Sequence, residues 1–449
     1  MADRKVAVVG MAGIFPTCNS LDEFGDKLFS NKSLVREWPL ANQYNRQMRS
    51  KVSAYSTLEE VGLKAQYSSI HPTYPEIYLD TKERIPIENL ATADIGSIWA
   101  MLSCQEAIAM AGWSELEVQS EQTGVVIGSG AGGHEVLRHS WDAFFREGKK
   151  SRHIGSHGVD RGMVYRDAAN VATLLRTKGV CESIGSACAC GLGNIGYAYR
   201  LIKMGLQDRI LAGGVEGTSI ETFVGFDAMA ILSRGYEPEK SSRPFDKRRN
   251  GFVCSFGAGI VGLEELEQAK ARGANIIAVI DGYFNNSDGD GDLFAPCFDG
   301  QKRLWKGLKT QVPNLNPEVV KVHGTSTPVG DGIELFSVTS ELGERGYHIS
   351  APKSQFGHML GAAGSVEFIA ALMMIEKQTI SPCLNAQDLN EELEVIQSKT
   401  HWKGPRKPIA SYRELLPTAA IKKEINQVVS LNYGFGGTNA IISISKYHG

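Results

Sequence analysis

The chain is short of the features that mark secreted, membrane or nucleic-acid-binding proteins. Its 449 residues hold only 8 cysteines, at 18, 104, 181, 188, 190, 254, 297 and 383, with no Cys-x-x-Cys pair and no regular spacing. That scatter excludes a disulfide framework and offers no zinc-ligand pattern, so a reducing cytoplasm is the expected compartment and no metal is expected. No apolar run approaches the roughly 18 residues that a membrane span needs, and the apolar stretch of MADRKVAVVGMAGIFP is too brief for a signal h-region. An excess of one charge is missing too: 47 basic against 50 acidic residues leave a formal net charge of −3, which argues against a nucleic-acid partner. There is no low-complexity segment and no short repeat.

What is present is an ordinary globular composition, 42% hydrophobic and 22% charged, with 49 glycines. The length allows two or three average domains or one large duplicated body, and the glycines favour the second, because many tight turns are needed where strands meet helices. Short β-type runs precede glycine turns or helices at 6–10 (VAVVG), 123–130 (TGVVIGSG), 209–214 (RILAGG), 276–282 (IIAVIDG), 319–324 (VVKVHG) and 428–432 (VVSLN). Helical periodicity fills the gaps, for instance across 98–111 and 366–375. This alternation predicts an α/β fold with mixed or parallel sheets sandwiched by helices. The charged, glycine-punctuated stretch 264–275 marks the midpoint, dividing the chain into 1–270 and 271–449. Stretches 36–86 and 402–423, polar and proline-rich without a period, are expected to be peripheral insertions.

Residues 183–202 read SIGSACACGLGNIGYAYRLI. Leu192, Ile195, Tyr199 and Ile202 fall at steps of 3, 4 and 3, which places them on one face of a helix beginning near Cys188. A thiol at a helix N-terminus is expected to have a lowered pKa, and the small residues around it leave room for a ligand. Both a nucleophile and a buried structural cysteine fit these features. Partners for a nucleophile exist among the 10 histidines: His323 follows a strand in VVKVHGTSTPVGD, and His358 precedes a helix in KSQFGHMLGAAGSVEF. Either alone also fits a satisfied structural histidine. Together with Lys353 and the glycine-rich LNYGFGGTNA, they suggest loops converging on one site at strand ends.

SACACG, HGTSTPVGD, KSQFGHMLGAAG and NYGFGGTNA, in that order, resemble the motifs of the elongating β-ketoacyl-acyl-carrier-protein synthases, the Cys-His-His branch of the thiolase superfamily. The resemblance runs from VAVVGMAG to the C-terminus, with AGGVEGTS, GFDAMAILS and SRPFDKRRNGFV between, and extends to polyketide ketosynthases. It implies a duplicated thiolase fold, a five-layered α-β-α-β-α body, with the nucleophile in the first half and two catalytic histidines in the second. The implied activity is decarboxylative Claisen condensation of an enzyme-bound acyl group with malonyl-acyl-carrier-protein.

Carried over by position, the resemblance makes Cys188 the acylated residue, and His323 and His358 the groups serving decarboxylation and attack. Lys353 and Glu334 orient the histidines, or form a structural ion pair. Backbone N–H groups of Cys188 and Phe435 match an oxyanion hole, and Phe435 a gating residue. Thr325 and Thr327 match residues that bond the pantetheine amides; Ala131 and Phe226 match the acyl pocket; Cys190 is read as packing. The phosphopantetheine arm arrives on acyl carrier protein, so no cofactor of the synthase itself is implied, and the assembly is a homodimer, with a heterodimer open.

Two departures stand out. Asn250 occupies a position where relatives commonly carry aspartate, and Glu88 and Asn89 partly replace expected basic residues. Arg146, Lys149, Lys150 and Arg152 form a nearby basic cluster, either a dock for an acidic carrier protein or a solvated loop. A non-catalytic chain-length or scaffold subunit would normally lack the nucleophile; a dinucleotide site is faintly echoed by VAVVGMAGIF; a thiolase would need a second catalytic cysteine where Gly434, Phe435 and Gly436 stand.

Overall fold

A computed structural model describes residues 4–18, 20–38, 52–53, 85–86, 89, 93–146, 148–289, 292–343, 346–389 and 409–449. Ten strands form its main sheet: β1 (Val6–Ile14), β2 (Thr123–Gly128), β3 (Cys181–Glu182), β4 (Arg209–Glu216), β5 (Gly257–Glu265), β6 (Ala278–Ser287), β7 (Val319–Lys321), β8 (His348–Ser350), β9 (Gln427–Gly434) and β10 (Thr438–Lys446). Their spatial order is β8-β7-β9-β10-β6-β1-β5-β4-β2-β3.

The duplication is visible in that order. In the first group β2 pairs parallel with β3 and β4, while β5 runs antiparallel to β4 and β1. Adding five to each label gives the second group, with β7 parallel to β8 and β9, and β10 antiparallel to β9 and β6. The groups are joined by three antiparallel pairs, Val6↔Ile280, Ala7↔Val279 and Val8↔Ala278.

Helices Cys190–Lys203 and Ala363–Lys377 lie between the two groups and pack on strands of both. Helix Ile95–Ala111 covers the first group from outside and helix Phe298–Gln311 the second, completing the α-β-α-β-α layers of a thiolase fold. A helix between two sheets has no wet face. Ala363 to Ile375 is accordingly buried throughout, and its apolar run AALMMI has no polar side to show. Helix Cys190–Lys203 departs from the amphipathic expectation for the same reason. Leu192, Ile195, Tyr199 and Ile202 are buried as expected, but so are Gly191, Gly193, Gly196, Ala198 and Leu201 on the other sides. The two central helices meet backbone to backbone: a Cβ on Gly364 would lie 2.4 Å from the Leu192 nitrogen, and one on Gly191 2.7 Å from that of Ser365.

Six strands were legible as apolar runs; β3, β5, β8 and β10 were not. β5 reads GAGIVGLEE, glycine-rich and ending in charge, and Glu264 near its end is fully buried, bound by Trp113 Nε1 (3.0 Å), Arg209 Nε (3.1 Å) and Arg272. The charged stretch 264–275 is therefore no exposed linker at its start: β5 runs into it and helix Leu266–Ala271 follows. The dinucleotide echo is also overturned. Gly10 lies within β1, where a Cβ would come 2.3 Å from the Ala107 carbonyl oxygen, so this glycine serves helix–strand contact instead of a phosphate turn.

Most of the expected insertion at 36–86, and 402–408 of the second, lie outside the described residues. Within the second, Ile409–Leu415 forms a 3₁₀ turn and Ile421–Lys422 pairs with Thr379–Ile380. No helix among the described residues is long and apolar enough to cross a membrane.

Candidate active site

The cysteine motif forms a 3₁₀ turn, Ala187–Ala189, ahead of the central helix that starts at Cys190. Ala187 has φ +48°, which turns the chain so that Cys188 faces a cavity while the next residues enter the helix. Strand β9 and its following loop press on this turn: Thr438 Oγ1 donates to the Ser186 carbonyl at 3.0 Å, and the Phe435 backbone N–H is directed at the Cys188 sulfur.

The cavity measures about 410 Å³ and is lined by Cys188, His323, His358, Glu334, Thr325, Thr327 and Phe435, with Phe252, Leu293, Phe294 and Val329 on its apolar walls. Residues from both halves of the sequence thus meet there. The His323 and His358 rings stand edge to face with centroids 5.2 Å apart. Burial, then the nearby Lys353 ammonium, hold both imidazoles well below the usual histidine range, so both are neutral in the free protein.

Each histidine is held differently. The His323 Nδ1 accepts from Lys353 Nζ (3.2 Å) and Asn432 Nδ2 (3.2 Å). Both partners are donors only, so the His323 proton sits on Nε2. Its backbone is fixed as well, since the N–H groups of His323 and Gly324 donate to the two oxygens of Glu334 at 2.6 and 2.7 Å. Burial pushes that carboxyl up to about 7. The Nδ1 of His358, in contrast, is buried with no hydrogen-bond partner among the described residues. Among the described residues no side-chain hydrogen bond at Nδ1 ties that neutral ring to one tautomer.

Thr325 and Thr327 reach the cavity from a turn in which Ser326 adopts φ +67°; their hydroxyls lie 3.0 Å apart, and Arg249 binds the carbonyls of Thr327 and Pro328 at 2.8 and 2.5 Å. Phe435 packs between Phe294 (5.5 Å) and Phe226 (6.3 Å), just ahead of Gly436 and Gly437, whose positive φ angles form the loop.

The thiol departs from expectation. Cys188 is 8% exposed, and burial, offset in part by Lys353 and the Phe435 N–H, pushes its pKa up from about 9 to about 12. A helix N-terminus supplies roughly 0.3–1, at most about 2 kcal/mol, less than the cost of burying a thiolate away from water. Burial wins, and the resting residue is a thiol. Alkylation of Cys188 in the free protein should therefore climb roughly tenfold per pH unit through the neutral and mildly alkaline range. A plateau near neutrality, followed by mass spectrometry of the adduct, would show a lowered pKa instead.

The sequence matches the family described as "Beta-ketoacyl synthase, N-terminal domain" over residues 3–269 and "Beta-ketoacyl synthase, C-terminal domain" over 277–387. This chain belongs to the beta-ketoacyl synthase family. The synthase is similar to "3-oxoacyl-[acyl-carrier-protein] synthase 1" of Haemophilus influenzae, 38% identical over 375 residues that cover 83% of this chain and 87% of the relative. It is 36% identical over 408 residues to the protein of that name in Escherichia coli K12, covering 89% and 93%. Among solved structures, a beta-ketoacyl synthase from Burkholderia phymatum STM815 superposes with TM-score 0.83 at 28% identity, covering 99% of this chain and 100% of that one. As a β-ketoacyl synthase, the protein is an acyltransferase that forms carbon–carbon bonds.

Several residues named from the sequence fall outside the cavity. Ala131 lies in a turn whose N–H, with those of Gly130 and Gly361, is bound by Glu216 at 2.9–3.2 Å, and Phe226 stands behind Phe252 and Phe435. Cys190 is fully buried, donating to the Ile184 carbonyl (3.2 Å) and accepting from Asn194 (3.3 Å), an arrangement of packing. Lys353 pairs with Glu367 and not with Glu334. Asn250 donates to the Arg234 carbonyl at 2.9 Å, a bond an ionised aspartate at this position could not make. Arg146, 81% exposed, and the exposed Lys149, Lys150 and Arg152 lie at and beyond the end of helix His134–Arg146.

Sequence reasoning missed Glu367, Lys321 and Asn432 altogether. The first two had a readable signal, a single charge inside an apolar run (VEFIAALMMI and VVKVHG), which in a buried element needs a partner.

Proposed function

We propose that the synthase takes an acyl group from acyl carrier protein onto Cys188 and condenses it with malonyl-acyl-carrier-protein. The observation that carries this reading is the single cavity shared by Cys188, His323, His358 and the Phe435 loop. In the first step the Cys188 sulfur displaces the pantetheine thiol, and the thiol proton passes to that leaving group. In the second, malonyl loses carbon dioxide, the resulting carbanion attacks the Cys188 thioester, a carbon–carbon bond forms, and the cysteine sulfur leaves and takes up a proton from solvent, which the condensation consumes.

The two histidines divide the work. His323, with its proton fixed on Nε2, donates to the malonyl thioester oxygen as negative charge develops there. His358, whose Nδ1 has no partner among the described residues, relays protons, including that of the resting Cys188 thiol on its way to the pantetheine leaving group. The N–H groups of Cys188 and Phe435 form the oxyanion hole for the acyl thioester. Thr325 and Thr327 bond the pantetheine amides, and Phe435 swings to admit the second substrate, with Phe226 beside it and Ala131 toward the closed end of the acyl pocket. Residues 1–270 contribute the nucleophile and 271–449 the histidines. This chemistry calls on no metal or redox group, and the pantetheine arm comes with the carrier protein. The presence of Cys188 speaks against a silent scaffold subunit, and a homodimer is the assembly proposed.

The test is incubation with acyl- and malonyl-carrier-protein, read by intact-protein mass spectrometry. The expected results are an acyl adduct on Cys188 and a product two carbons longer; an unmodified protein with unchanged substrates overturns the reading.

Carrier docking is assigned to Arg146, Lys149, Lys150 and Arg152, which stand beside the exposed Trp141 and Phe145. Replacing Lys149 and Lys150 by glutamate should raise KM for acyl carrier protein and flatten its salt dependence, since attraction between exposed charges is screened over about 8–10 Å. An unchanged salt profile would return the cluster to solvent.

A further inference from the structure

We propose that Lys321 and Asn432 are positioning residues of the condensation step, holding His323 neutral with its proton on Nε2. The proposal rests on the role given to His323 above, and its basis is a buried network that also contains Glu367 and Lys353. Lys321 ends β7 two residues before His323, so in an extended chain its side chain lies on the same face. It is fully buried, and its ammonium donates to Glu367 Oε2 (2.5 Å), the Leu431 carbonyl (2.6 Å) and Asn432 Oδ1 (2.9 Å), which uses all three N–H bonds.

Those contacts decide which way Asn432 points. With Oδ1 against the ammonium, Nδ2 faces Glu367 Oε2 (3.2 Å) and His323 Nδ1 (3.2 Å). The flipped amide would set NH₂ against the ammonium and oxygen against the carboxylate, two repulsions in a dry site. Asn432 therefore donates to Nδ1 alongside Lys353, and Nδ1 has only donors to meet. Without Lys321 the amide is held by Glu367 alone, and any flipped population sets its oxygen at Nδ1 in competition with Lys353, drawing the proton there and leaving Nε2 an acceptor, unable to bond an oxyanion. Lys321 acts through charge as well. It is a second cation beside both imidazoles and disfavours protonation of either, while Glu367 and Glu334 favour its own charged form and Tyr433 packs against the His323 ring.

The experiment is ¹⁵N spectroscopy of histidine-labelled protein, with His323 identified by the signals lost in His323→Ala, together with rates of malonyl decarboxylation. Burial lowers Lys321 to about 8, so the expected spectrum, recorded below that titration, shows unprotonated Nδ1 and protonated Nε2 from about pH 6 to about pH 7. Lys321→Met and Asn432→Leu should each slow decarboxylation about tenfold, the worth of one buried hydrogen bond, while acyl loading of Cys188 continues. Lys321→Met should also move the acid limb of the pH–rate profile upward, because a cation that disfavours protonated histidine has gone. A protonated Nδ1 in the wild type, or folded variants that decarboxylate at the wild-type rate, would overturn the proposal. Normal decarboxylation by His323→Ala would instead overturn the reading on which it rests, and the wild-type spectrum would still report the tautomer.

Discussion

Cys188→Ala should reduce acyl loading and condensation by at least about 10⁴-fold, the scale on which enzymes lose activity when a covalent nucleophile is removed. No neighbour can replace it: Cys190, two residues on, is fully buried, points at the Ile184 carbonyl and does not reach the cavity. Decarboxylation of malonyl-carrier-protein needs the histidines and not the thiol, so it should continue in Cys188→Ala and separate the two half-reactions. Intact mass after incubation with acyl-carrier-protein measures the first, and carbon dioxide release the second. An acyl adduct that survives in Cys188→Ala, mapped to Cys190, would sink the assignment.

His323→Ala should lower malonyl decarboxylation by roughly 10²–10³-fold, the loss expected for one preorganised donor to a developing oxyanion. The thioester oxygen gains its charge as carbon dioxide leaves, and the Nε2 proton of His323 is the one whose position is fixed by two donors behind the ring. Loading of Cys188 in this variant should remain measurable. His358→Ala differs: with the thiol held at about 12 by burial, loading requires a proton acceptor, so this variant should slow loading as well as decarboxylation. Equal effects of the two substitutions on loading would contradict the division of roles.

Much of the fold was legible because a strand or helix with one consistent environment writes that environment into its residues. β1, β2, β4, β7 and β9 are apolar runs, since covered sheet leaves them almost no wet face, whereas β6 was legible from its apolar start and grows polar and exposed toward Ser287. β5 was not, because its glycines make room for the neighbouring helices and its Glu264 is paired by residues far along the chain. Helix Cys190–Lys203 misled in the opposite way: glycine carries no polarity signal, so sides buried through Gly191, Gly193 and Gly196 looked neutral and one apolar face was taken for the whole.

By itself the sequence determined the family, the α/β alternation, and the cysteine and two histidines that share the cavity, because motif chemistry and periodicity are local properties that a linear reading preserves. Only the tertiary structure decided the protonation state of those groups. The thiol is raised by burial that no window of sequence contains, and the His323 tautomer is set by Lys353 and Asn432, 30 and 109 residues away. Electrostatics in a dry site depends on distance and on water, and both are fixed only when β7, β9 and the helix carrying Glu367 have closed around the ring.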